Sequence, residues 1–162
     1  MMRKLALFTT AFVVASALSF SPASASNRGG TSQIGGEAIL VDTCDGQSSL
    51  FTFEMTGSLV GCWYTTHADV VQATPSGVYQ ERGTETFVGC LVEDGVEVAC
   101  GTFDTTYKFT AKFAPDFTEI HGRCQHPLAG GTEGFDGATG RVDFKDEVET
   151  GRFFYRGHID LS

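Results

Sequence analysis

The sequence predicts an all-β protein: a single closed, antiparallel, up-and-down barrel of about eight strands, stapled by disulfides. Three observations carry that expectation. Apolar and polar residues alternate with period two along much of the chain, while helical periodicity is nearly absent. Turn signals recur at short intervals: Thr56-Gly57-Ser58, Pro75-Ser76-Gly77, Asp94-Gly95, Pro115-Asp116 and the glycine cluster between Gly130 and Gly140. Long antiparallel neighbours with short connections and no helices must stack as two sheets or close on themselves, and connections this short favour closure.

The N-terminus reads as an address. Arg3 and Lys4 form a short basic region, Leu5 to Phe20 an apolar stretch softened by Ser and Thr, and Ala23-Ser24-Ala25 a small-x-small cleavage pattern. A membrane anchor needs roughly 20 strongly apolar residues, which this stretch does not reach. Residues 1–25 are therefore expected to be a secretory signal, cut before Ser26, leaving an exported protein with no membrane span. Subtracting 25 from 162 leaves 137 residues, enough for one domain with a core and too few for two. Residues 26–48 form an N-terminal segment able to supply a first strand, and 49–162 the barrel. The whole chain carries −9, and loss of Arg3 and Lys4 takes it to −11. Such a charge repels phosphate backbones and anionic lipid, so nucleic acid and membrane surfaces are not expected partners.

Strands are expected at about 50–55, 59–66, 77–90, 97–113, 117–126, 137–146 and 151–161, with an eighth near 34–41. The stretch Thr102 to Phe113 shows the pattern best, with Thr, Asp and Lys facing out and Phe103, Thr105, Tyr107, Phe109 and Phe113 facing in. Cys90 and Cys100 lie five residues either side of Gly95. A symmetric hairpin sets them opposite one another at a separation that suits a disulfide. The same register pairs Phe87 with Phe103, Glu85 with Thr105, Gly83 with Tyr107 and Glu81 with Phe109 on an aromatic face. In the last hairpin, Asp146 opposite Gly151 would pair Phe144 with Phe153 and Val142 with Tyr155. It would also set Arg141 against Arg156, an unfavourable match. In an oxidising compartment the five cysteines imply two disulfides and an odd thiol. After Cys90–Cys100, the second pair suggested is Cys62–Cys124, with the fate of Cys44 open.

The stretch GGTEGFDGATGRVDF (130–144) could cradle a phosphate, bind calcium or start a strand. A phosphate loop runs into a helix and carries Lys, whereas this one runs into an alternating strand and carries Glu133 and Asp136. The calcium repeat G-G-x-G-x-D fails at Glu133 and has no second copy. The glycines are left with a mechanical role where a barrel strand enters after a loop. At these residues, and in GRFFYRGHIDL (151–161), the chain resembles the allene oxide cyclase barrel-like group, which includes the plant dirigent proteins. The likeness covers about the last 32 residues. It implies an eight-stranded barrel, often a homo-oligomer, whose lumen holds a hydrophobic molecule or reactive intermediate. The matching residues are scaffold, so no catalytic residue comes across with them.

Candidate chemistry centres on Glu81 and Glu85, two carboxyls on an otherwise aromatic face. Their Cα atoms should stand about 13 Å apart along the strand. That exceeds the roughly 5–9.5 Å of paired glycosidase carboxyls and suits a single general acid or base, or a polar anchor. Phe87, Phe103, Tyr107, Phe109, Trp63 and Tyr155 are the expected ligand-lining rings. His121, Cys124 and His126 tempt a metal reading, but on a strand Cys124 and His126 share a face that His121 does not. No metal or cofactor is expected. The fitting role is a secreted barrel that binds a small apolar or aromatic molecule, with or without isomerising or cyclising it. The rival is a secreted interaction or enzyme-inhibitor barrel without catalysis. A lumen filled by large side chains would favour the rival, and a continuous cavity the first reading.

Overall fold

The structure, a computed structural model, describes residues 30–147 and 152–161. The signal segment 1–25 and its cleavage site lie outside the described residues. Eight strands follow in order: β1 (Gly30–Val41), β2 (Thr52–Gly57), β3 (Leu59–Ala73), β4 (Val78–Glu93), β5 (Val96–Phe113), β6 (Glu119–Gly131), β7 (Thr139–Glu147) and β8 (Arg152–Leu161). Each pairs antiparallel with the next, and β1 closes on β8 from Gly30↔Leu161 to Ala38↔Phe153. The barrel is complete. Its first strand is Gly30–Val41, so this part of the N-terminal segment belongs to the wall.

Up-and-down order puts the β2–β3, β4–β5 and β6–β7 connections at one end and the β1–β2, β3–β4, β5–β6 and β7–β8 connections at the other. The first end is solid. Between β6 and β7 the chain makes one 3-10 turn, Glu133–Phe135, which drives the Phe135 ring into the lumen against Phe87 and Phe103. Leu59, Leu91, Val142 and Ile159 fill the space around these rings, all fully buried. Each such side chain contributes roughly 1.5–3 kcal/mol of burial. The glycine stretch is what lets the plug fit. A Cβ on Gly134 would stand 2.7 Å from the backbone N and O of Cys100, and Gly137 turns the chain at φ +72°.

The β4–β5 register is Cys90↔Cys100, Phe87↔Phe103, Glu85↔Thr105, Gly83↔Tyr107 and Glu81↔Phe109. Two departures from simple symmetry cancel to produce it. The turn is the two-residue Asp94-Gly95, with both φ values in the left-handed region (50° and 78°) that a type I′ turn requires. On its own that turn would offset the pairs by one residue. The register shift after Leu91, where Val98 is the extra residue, restores them. The last hairpin differs from the expected register by two residues: Phe144 meets Tyr155 and Val142 meets Gly157. The inward face is unchanged, and the slip sets Arg141 against His158 and Asp143 against Arg156, which removes the like-charge clash.

Cys90–Cys100 and Cys44–Cys62 are disulfides, and Cys124 is free. The suggested Cys62–Cys124 pairing is therefore wrong, and parity explains why. Trp63 points into the lumen, so Cys62 points out, to where the 42–51 segment crosses; Cys124, opposite Phe109, points in. Two cysteines on opposite faces of the wall cannot be bridged. The crossing segment is further held by the Tyr64 hydroxyl, which donates to the Cys44 carbonyl at 2.8 Å. Two disulfides mark a chain that folds in an oxidising environment. Among the described residues no helix is long and apolar enough to cross a membrane.

Candidate functional site

Above the plug the lumen stays open. A cavity of about 360 Å³ runs from a floor at Trp63, Glu85 and His126 to a mouth at Leu40 and Phe51, both about half exposed. Its wall is largely aromatic, with Phe53, Tyr79, Tyr107, Phe109, Phe113, Phe144 and Phe153 contributing. Inward positions of β4, β5 and β6 supply most of the polar groups, Glu81 and Glu85, Tyr107, and Glu119, Cys124 and His126, and β3 and β7 add Thr65 and Asp146. Among the described residues neither Lys nor Arg lines it.

Glu85 is the most deeply buried carboxyl among the described residues, only 5% exposed. Its Oε1 accepts a hydrogen bond from the Thr65 hydroxyl at 2.9 Å, across β3–β4. Its Oε2 stands 3.0 Å from Nε2 of His126, an equally buried ring two strands away. That approach lies off the line of an aligned hydrogen bond, so Oε2 has no hydrogen-bond partner among the described residues. The other ring nitrogen fixes the tautomer. Nδ1 of His126 sits 2.9 Å from the Val142 carbonyl, and a carbonyl can only accept, so Nδ1 carries a proton. Nε2 is the ring nitrogen turned toward Glu85. The edges and faces of Trp63, Tyr107 and Phe144 hold the imidazole in place, with centroids 5.5, 5.9 and 4.8 Å away.

Glu81, nearer the mouth, is fully engaged. Tyr79 donates to its Oε2 at 2.6 Å and Tyr107 to its Oε1 at 2.5 Å. Burial and the adjacent carboxylate push the Tyr79 phenol up to about 12 and that of Tyr107 higher still. A third acidic locus lies between β6 and β7, where registered pairing stops at Cys124↔Phe144. Beyond it Glu119 and Asp146 crowd the bare Cα of Gly122, where a Cβ would collide with Glu119 Oε1 and the ring of Phe109. Burial, then the Asp146 charge beside it, push the Glu119 carboxyl up to about 7. Asp146 is also raised, again by burial. The Cys124 thiol is pushed well above its ordinary range by burial and by the charges of Glu85, Asp146 and Glu81. It stays protonated and is no nucleophile near neutral pH.

Of the residues singled out from sequence, Glu81, Glu85, Tyr107, Phe109 and Trp63 come together around this cavity. Phe87, Phe103 and Tyr155 do not line it. The two phenylalanines stack on each other at 4.8 Å and belong to the plug. Tyr155 turns its hydroxyl to the β2–β3 turn, donating to the Thr56 carbonyl at 2.9 Å and accepting from Leu59 N at 2.7 Å. Sequence alone treats the lumen as uniform along its length, and it is not. It also missed the partner of Glu85. The shared face of Cys124 and His126 was legible, but the β5–β6 register, which has two shifts, was not. Glu119, Tyr79 and Asp146 were likewise not picked out as a polar set. The chain matches no family model, no curated protein and no solved structure.

Proposed function

We propose that the protein binds a small apolar or aromatic molecule in the open half of its lumen, with Glu85 and His126 as a proton-transfer pair at the floor. One observation carries this reading: a carboxyl and an imidazole, buried together, stand 3.0 Å apart at the base of an aromatic cavity open to solvent. The Val142 carbonyl and the Thr65 hydroxyl fix the orientation of each partner. Such a pair can give a proton to one ligand atom and take one from another without leaving an isolated charge in the floor. Isomerisation and cyclisation need that exchange. The filled-lumen rival describes only the plugged half. The glycine stretch that suggested a likeness to allene oxide cyclase-like barrels serves the plug, so the likeness supports scaffold and not chemistry. Export fits the two disulfides, and the signal reading adds that the mature chain starts at Ser26.

The decisive experiment isolates the protein from the medium of secreting cells, reads its N-terminus, and identifies any retained small molecule by mass spectrometry of a denatured extract. Glu85→Gln keeps the shape and removes the acid. It should fold normally, judged by circular dichroism and thermal unfolding, and hold the molecule or turn it over at least ~10-fold less well, a change of about 1.4 kcal/mol. A Glu85→Gln protein that binds and reacts like the parent would overturn the assignment.

A further inference from the structure

We infer that the molecule bound in this lumen carries a cationic nitrogen, received by Glu119 and Asp146 at the gap between β6 and β7 beneath the rings of Phe109 and Phe113. The inference rests on the lumen-binding reading above. Among the described residues the cavity is lined by four carboxyl groups and by no Lys or Arg. Hydrogen-bond accounting separates their roles. Glu81 already accepts from two phenols, and Glu85 Oε1 from Thr65. Glu119 Oε1 is shut from solvent with no hydrogen-bond partner among the described residues. Independently, the Glu85 side chain, more than nine-tenths buried, presents to the same cavity an Oε2 that stands 3.0 Å from His126 Nε2 yet accepts no hydrogen bond among the described residues. Unmet acceptors at both ends of an aromatic chamber call for a ligand that brings donors. An ammonium brings donors and charge together, and ring faces beside it add cation–π attraction. Phe113 is the cross-strand neighbour of Glu119, and Phe109 closes on Gly122 beside both carboxyls. A divalent ion fits less well. Among the described residues, three potential ligands converge only at Cys90, Glu97 and Cys100, where both cysteines are disulfide-bonded.

The inference has a pH signature. Glu119 and Asp146 hold protons more readily than free carboxyls, and an arriving ammonium must displace a shared proton. Other titratable groups facing the cavity are Tyr79 and Glu81 on β4, Tyr107 on β5, Cys124 on β6 and the Glu85–His126 pair at the floor. The phenols and the thiol stay protonated throughout the neutral range. β8 adds only Phe153.

Calorimetric titration with three probes of one shape, 2-naphthylmethylamine, 2-naphthylmethanol and 2-naphthoate, tests it at about pH 5.5 and about pH 8, where the amine stays cationic. At the higher pH the amine should bind at least ~10-fold tighter than the alcohol, with the carboxylate weakest. That gap should narrow at the lower pH, and amine binding should release protons to the buffer. Glu119→Gln should retain alcohol binding and flatten the pH dependence of the amine. If the alcohol binds and the amine binds no better, the charge inference fails and the lumen reading stands. If none of the three binds, both fail. Displacement of the amine by calcium would also overturn it, by making the carboxyls a metal site.

Discussion

The two ends of this barrel share eight strands and one rule of alternation, yet one end is solid and the other hollow. At the solid end the inward positions are Phe87, Phe103, Leu91, Leu59 and Ile159, and the 3-10 turn adds Phe135. At the hollow end the same strands place Glu81, Glu85, Glu119, Asp146 and His126 inward among rings. Apolar side chains close over one another because contact is all they need. Carboxyls do not, because each must find a donor or water before it can be covered. Polar inward residues keep the upper lumen open, and the plug supplies the stability that such a chamber costs.

The strongest way to break the contrast is to remove the plug. Phe135→Ala deletes a fully buried ring, and stability should fall by about 3–5 kcal/mol. Urea unfolding followed by fluorescence of Trp63, the single tryptophan, measures it. Binding at the hollow end should be unaffected as long as the variant folds. A loss below about 1 kcal/mol would mean that the lower half is held by the wall and not by its filling.

Next in size are the staples. Converting Cys44 and Cys62 to Ser releases a loop with a sequence separation of 18 and should cost about 3 kcal/mol by chain entropy. Cys90 and Cys100, separated by 10, should cost slightly less, about 2–3 kcal/mol. The first pair clamps the segment that leads to the mouth and the second the hairpin of the solid end. Loss of Cys44–Cys62 should therefore also alter ligand affinity, while loss of Cys90–Cys100 should not. Peptide mapping without reduction checks the pairing itself, and any peptide joined through Cys124 would contradict it.

How much of this was legible before the structure depends on whether the signal was local. The β4–β5 face was readable because Asp94-Gly95 and two equidistant cysteines mark one hairpin, although the match hid a turn offset and a compensating extra residue at Val98. The same reasoning gave the last hairpin its correct face and a register two residues off, since nothing local fixes the turn between β7 and β8. The Glu85–His126 contact joins strands that are not neighbours, and two registers, β4–β5 and β5–β6, must be right before it can be seen. Phe135 was beyond pattern reading altogether. A phenylalanine among five glycines looks like loop until the loop is known to fold inward.

A smaller effect tests the acidic gap at the mouth. Glu119 has its folded value raised to about 7 from 4.5, so the folded state binds the proton more tightly than the unfolded chain. Its contribution to stability is complete below about 4.5 and is lost as pH rises to about 7. Glu37 and Asp116, whose values are lowered, act in the opposite sense and only at more acid pH. The urea midpoint should therefore drift downward between about pH 4.5 and 7, and Glu119→Gln should flatten that drift. An upward drift of the parent through this window would show that the pair is ionised and bridged by a cation.

The smallest effect lies on the border between the halves. Thr105 faces Glu85 across β4–β5 and is 1% exposed, and its hydroxyl has no hydrogen-bond partner among the described residues. An unpaired buried hydroxyl costs roughly 1–3 kcal/mol, and valine has nearly the same shape without it. Thr105→Val should raise stability, by about 1 kcal/mol, and leave the Glu85–His126 contact in place. That outcome would put the dry plug right up to the floor of the cavity. A loss of stability would mean that the hydroxyl is satisfied, by water reaching down from the cavity or by Glu85 itself. The polar half would then extend one layer deeper than Trp63, and a ligand could make hydrogen bonds below the carboxyl as well as above it.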